Sequence, residues 1–162
     1  MQAVKDSFYM TLRQRLEQLY PLRTLAGDGR PAILVCENEH GSWTPSNDAF
    51  YLRWMSDAKL PPDASSAGWR ALACEISYRT AGTESAAGED RGRALAELEA
   101  ELLAILDPEQ SPLLDYTQDP PADLRTTLLW TSPVLQDAKD NNDVLGRSAH
   151  VTVLWQEGVQ AS

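Results

Sequence analysis

Cysteine is almost missing from this chain of 162 residues, which has only Cys36 and Cys74. Each lies in a short apolar run, and both read as buried, reduced thiols serving as small hydrophobes. The 2 histidines, His40 and His150, are far apart. The two residue types together offer no spacing for a zinc site, which takes about four ligands. No apolar run approaches the roughly 20 residues of a membrane span. The opening Met1-Gln2-Ala3-Val4-Lys5-Asp6 has no signal-peptide pattern, so synthesis in a cytoplasm and no membrane partner are expected. Basic residues are scarce as well: 14 Lys and Arg face 24 Asp and Glu, a net charge of -10. Sequence-independent binding to nucleic acid needs cations that displace counterions from phosphates, so this balance argues against it. An acidic surface instead favours solubility and repels passing DNA.

Catalytic motifs are missing too. Gly27-Asp28-Gly29 falls between a helix and a strand, whereas a phosphate-binding loop runs from strand to helix. There is no Gly-Lys-Ser/Thr and no G-x-S-x-G elbow. No catalytic, cofactor-binding or metal-ligating residue is assigned, and a non-enzymatic protein is expected.

What is present is a clear alternation of periods. Val4, Phe8, Leu12, Leu16 and Leu19 recur at helical spacing, with Arg13, Arg15, Glu17 and Gln18 on the other side, and Pro21 ends the pattern. Ala32 to Glu37 reads as a buried strand. Residues 38–68 are rich in Gly, Pro, Asn and Ser and read as a long insertion loop, in which Phe50 to Met55 alternates like a short strand or hairpin arm. Trp69 to Arg79 alternates with Leu72, Cys74, Ile76 and Tyr78 on one face. A second helix is predicted from about Glu89 to Leu106, its apolar face built from Leu95, Leu98, Leu102, Ile105 and Leu106. Two further strands follow, Leu124 to Val134 and Arg147 to Trp155, around a polar tip at Asp137–Asp143. The sum is one α+β domain over residues 1–162: two layers, a mostly antiparallel sheet of about four strands, two helices on one face, and the insertion 38–68.

Three groups of residues stand out. Trp43, Phe50, Tyr51 and Trp54 crowd into the insertion, either to fill a core or to anchor a partner, since Trp and Tyr are enriched at interfaces. From Glu84 to Asp123 acidic residues greatly outnumber basic ones. This stretch is either a solvated helix with acidic loops or a surface that must not adhere to DNA, and Glu97 and Glu101 are its best candidates. Glu37, Glu39 and His40 form a short cluster that either ends a strand in solvent or supplies a small metal-binding or hydrolytic site.

The order of elements resembles the tail terminator proteins of long-tailed bacteriophages and phage-tail-like particles. The likeness runs through the helix ending near Pro21, the strand Pro31-Ala32-Ile33-Leu34-Val35 and the Trp-led strand Trp69-Arg70-Ala71-Leu72-Ala73-Cys74-Glu75-Ile76. It continues through the helix Arg93 to Leu106 and the closing pair Leu124–Val134 and Arg147–Trp155. It covers nearly the whole chain and is architectural; the insertion 38–68 is longer than in a minimal member. The resemblance implies a virion component made and assembled in the bacterial host cytoplasm: a homo-oligomeric ring, a hexamer by preference, that caps the tail tube and meets head, neck or connector proteins. DNA would pass through without tight binding, with Glu97 and Glu101 toward the channel or a neighbouring ring. Trp43, Phe50, Tyr51 and Trp54 would make partner contacts, and the loops Thr80–Gly88 and Pro133–Leu145 would order on docking. The rival expectations are the small enzyme or metal domain at Glu37, Glu39 and His40, and a monomeric protein-binding adaptor.

Overall fold

The structure, a computed structural model, describes residues 2–21, 33–36, 47–55, 58–60, 68–109, 114–115, 119–123 and 128–156. Helix α1 spans Gln2–Leu19 and helix α2 spans Arg91–Ile105. The strands are β1 (Ile33–Cys36), β2 (Phe50–Met55), β3 (Trp69–Thr80), β4 (Leu114–Asp115), β5 (Ala122–Asp123), β6 (Leu128–Trp130), β7 (Val134–Leu135), β8 (Lys139–Asn141) and β9 (Val144–Gln156). The main sheet runs β1-β2-β3-β9-β6, with β7 and β8 also paired to β9. β1 is parallel to β2 and every other pairing in it is antiparallel. The α+β class and the two helices on one face therefore hold, while among the described residues the main sheet has 7 strands rather than about four.

The extra strands come from two sources. One is β2, which lies inside the expected insertion loop and pairs with β3 from Phe50↔Tyr78 to Met55↔Ala73. The other is the arm opposite β9, which is broken into β6, β7 and β8. Between β6 and β7, Thr131, Ser132 and Pro133 oppose only Val151 and Thr152. Between β7 and β8, Gln136, Asp137 and Ala138 oppose only Arg147 and Ser148. Each break inserts one residue, as a β-bulge does, and Pro133 has no N–H to give the ladder. The first break is held by Thr131 N–H to Thr152 O at 3.0 Å and by Thr152 N–H to the Thr131 hydroxyl at 3.1 Å.

Alternation on the two long central strands puts Leu72, Cys74, Ile76 and Tyr78 of β3, and Ala149, Val151, Val153 and Trp155 of β9, on the helix side, all buried. Against them lie Phe8, Leu12 and Leu16 of α1 and Leu95, Leu98, Leu102 and Ile105 of α2, also buried. Each such side chain contributes about 1.5–3 kcal/mol on burial. Phe8 meets Trp54 edge-on at 5.6 Å and Trp130 at 5.0 Å, so α1 bridges from β2 to β6.

Two expectations for α1 change. Leu19, read as part of the apolar face, is 43% exposed, whereas Tyr20 packs partly against the core. Arg15, assigned to the polar side, is buried at 5% exposure. Its guanidinium donates to Ile105 O at 2.9 Å and Asp107 O at 2.7 Å, and stacks 5.1 Å from the Trp130 ring. Trp130 Nε1–H donates to Leu106 O at 2.8 Å. The last carbonyls of a helix have no partners within it, and here the C-terminal end of α2 is satisfied by side chains of α1 and β6.

Candidate interaction surface

Both described helices cover one face of the main sheet, so the candidate site is the other face. The registers define its rows, because directly opposed residues share a face. One row is Arg53, Glu75, His150 and Val134, across β2, β3, β9 and β7. Arg53 Nη2 lies 2.8 Å from Glu75 Oε1, and His150 Nε2 lies 3.0 Å from Glu75 Oε2. The Arg53 and His150 side chains are 49% and 40% exposed, so water screens these pairs. Such pairs contribute about 0–1 kcal/mol of stability. They fix orientation more than they stabilise. Among the described residues no hydrogen bond joins His150 to Ser77 or Ser148 on the same face, and no three His, Cys, Asp or Glu side chains are grouped to hold a metal.

On one side of this row the face is apolar. Leu129, Leu154 and Ala71 are aligned across β6, β9 and β3, and Thr152, Ala73 and Met55 form the next row. With Val134 they make a corner in which Leu129 is 37% and Val134 is 62% exposed. On the other side is a cleft of about 330 Å³. The charges it shares with the open face are three cations (Arg53, Arg79 and Lys139) against two anions (Glu75 and Asp137), a balance of +1, whereas Arg147, opposite Tyr78, turns its side chain to the helix side and pairs with Glu99. This part of the face thus has a small positive excess in a chain of net charge -10.

The surrounding loops are more built than their composition suggests. Thr80–Gly88, expected as a loose loop, holds a 3-10 turn at Glu84–Ala86. Thr83 anchors it, its N–H donating to Asp90 Oδ1 at 2.8 Å and its hydroxyl to Asp90 Oδ2 at 2.8 Å. The Thr83 N–H, the Thr83 hydroxyl and Arg93 hold the Asp90 carboxyl down at about 2. Pro133–Leu145, the other expected docking loop, contains β7 and β8 and turns at Asn142 with φ 54, a conformation asparagine tolerates. Its tip is tied back to α2, since Arg91 Nη1 donates to Asn142 O at 2.5 Å and lies 3.6 Å from Asp140. Further along α2, Glu99 forms an ion pair with Arg147 and accepts from the Tyr78 hydroxyl at 3.3 Å. Burial, reinforced by the Glu99 carboxylate, pushes the Tyr78 phenol up.

The structure separates the residues singled out from sequence. Trp43, Glu37, Glu39 and His40 lie outside the described residues. Phe50 and Trp54 belong to the helix-side core at 0% and 7% exposure, and Tyr51 is 6% exposed beside the cleft. These three rings are buried on a paired strand, which agrees with the core-filling alternative and with the short strand expected at Phe50 to Met55. Glu97 is exposed on the outward side of α2, while Glu101 is half-buried. The row Arg53–Glu75–His150 was not singled out as a unit. Alternation marks Glu75 and His150 as facing away from the apolar side of their own strands, but pairing between distant strands carries no local signal.

The fold and this surface define a two-layer α+β protein in which neither described helix covers the second face of the main sheet. No protein-family model and no curated protein sequence matches the chain.

Proposed function

We propose that this chain is a structural ring protein of a phage or phage-like tail, which caps the tail tube and joins it to the head or neck by self-association. The observation that carries the reading is the one-sided sheet. Both described helices are spent on one face, and the other presents an apolar corner beside a cleft with more cations than anions, with Leu129 and Val134 exposed. Exposed apolar side chains set beside charged ones, as Leu129 and Val134 are here, suit a docking surface with an apolar centre and a polar rim. The order of elements that resembles tail terminators agrees with this, and so does the net charge of -10, which suits a ring passing DNA without adhesion. No described helix is long and apolar enough to cross a membrane. In a closed ring each subunit meets its neighbours through two different patches. The partners on this reading are further copies of the chain, a hexamer by preference, the tube protein below and connector proteins above.

The test is cryo-electron microscopy of particles purified from the source. A symmetric ring of this chain at the head-proximal end of the tail is expected. Its absence from every particle would overturn the reading and return attention to Glu37, Glu39 and His40.

A further inference from the structure

We infer that the open sheet face is the socket for α2 of a second copy of this chain, joined head to tail, with Ala100 and Leu103 on the apolar corner and Glu97 toward the cation-lined cleft. This rests on the self-associating reading above and names the joint. The buried side of α2 is committed to the core, whereas Ala96, Glu97, Ala100 and Leu103 are exposed on its outward side, Leu103 at 41%. Ala96 and Ala100 on the helix, and Ala71 and Ala73 on the sheet, are small enough to let the two backbones approach closely.

Charge selects this occupant. The open-face side of the cleft carries a balance of +1, from Arg53, Arg79 and Lys139 against Glu75 and Asp137, and Glu97 supplies a carboxylate on the outward side of α2. A face-to-face arrangement of two sheet sockets would instead bring Arg53, Arg79 and Lys139 against their own copies, and like charges across an interface are costly. The dimensions also agree. Glu97 and Leu103 are six residues apart, about 9 Å along a helix at 1.5 Å per residue. The row of Leu129, Leu154 and Ala71 lies four residues along β3 from the row of Arg53 and Glu75, about 13 Å at 3.3 Å per residue. The long side chains of Glu97 and Arg53 span the difference. Because socket and helix are different patches, each copy keeps one of each free, and the contact repeats until a ring closes. Glu97 thereby moves from the expected channel to the joint between subunits.

The experiment uses the full chain and two exposed substitutions, Ala100→Arg on the helix and Leu129→Arg on the socket, with circular dichroism melts to confirm that both fold. Sedimentation velocity on each alone is expected to show association weakened by at least about a hundredfold, since each puts an unmatched charge into the joint. Mixed together, the two variants retain one good patch each and are expected to form a heterodimer and nothing larger. An oligomer that survives both substitutions overturns this inference and leaves the ring reading standing. A mixture that stays monomeric while the wild type assembles also overturns it. A wild-type chain that remains monomeric at the highest attainable concentration overturns the inference together with the self-association beneath it.

Discussion

Replacing Arg15 with alanine tests the most specific packing feature of the fold. The guanidinium gives hydrogen bonds of 2.9 Å to Ile105 O and 2.7 Å to Asp107 O, at a helix end where the carbonyls have no partners of their own. It also stacks on Trp130, whose indole satisfies Leu106 O. A hydrogen bond to a charged group contributes about 1.5–3 kcal/mol. Two such bonds are partly offset by the cost of burying the cation, and that burial lowers the pKa of Arg15 against the raising influence of Asp107. The expected net loss is about 3 kcal/mol, or roughly 6–12 °C in Tm for a domain of this size. Alanine is a better helix former than arginine, so helix propensity cannot account for a loss. Urea unfolding of Arg15→Ala beside Arg13→Ala, an exposed arginine on the same helix, is the assay. The control is expected to stay within about 0.5 kcal/mol of wild type. A loss below about 1 kcal/mol at Arg15 would show that the end of α2 does not need this cap.

Gly82 has φ 75, and an added Cβ would lie 2.6 Å from Asp90 Oδ1 and 3.0 Å from Gly88 Cα. Gly82→Ala is therefore expected to destabilise by about 1–3 kcal/mol in a thermal melt, and an unchanged Tm would refute the strain. The Asp90 carboxyl is held down at about 2, below its ordinary value of 3.8. Its contribution to anchoring Thr83 is accordingly full above about pH 4 and lost as pH falls through about 2. Amide exchange at Thr83 should accelerate across that window in the wild type and not in Asp90→Asn, and identical profiles would refute the assignment. Burial pushes the Cys74 thiol up, with Glu75 adding to the effect, and the residue is fully buried. In a Cys36→Ala background a thiol reagent should therefore label Cys74 only at the rate of unfolding, and rapid labelling of native protein would contradict the packing.

Period was the part of the fold most legible from sequence. The spacing of Leu95, Leu98, Leu102 and Ile105, and the alternation of Leu72, Cys74, Ile76 and Tyr78, each place a face correctly because one buried side repeats at the helix or strand period. Leu19 fails for a local reason: a stripe is buried only as far as something lies opposite it. Arg15 fails because the unpaired carbonyls that claim it belong to residues 90 or more positions away. The same distance hid the row of Arg53, Glu75 and His150, three residues on three strands brought together only by register. Phe50 to Met55 was legible as a short strand from its alternation although Gly, Pro and Ser surround it, but its partner was not, because the ladder is supplied by β3 further along the chain.

The two bulges opposite β9 bear on how such a protein can associate. An unbroken strand along that edge would offer a continuous row of free N–H and C=O groups, and edges of that kind pair with other chains without limit. Here the edge is cut into pieces of three, two and three residues, β6, β7 and β8. Pro133 sits at the first cut, and the exposed Lys139 and Asp140 occupy the last piece. Strand addition there would gain few hydrogen bonds and would have to desolvate charge. Each inserted residue also exchanges which face the arm's side chains take, so Val134 points to the open face whereas Leu128 and Trp130 point to the core. The interruptions therefore do two things at once. They blunt the edge that would lead to open-ended sheets, and they turn an apolar side chain onto the open face, where the proposed ring would place a neighbour.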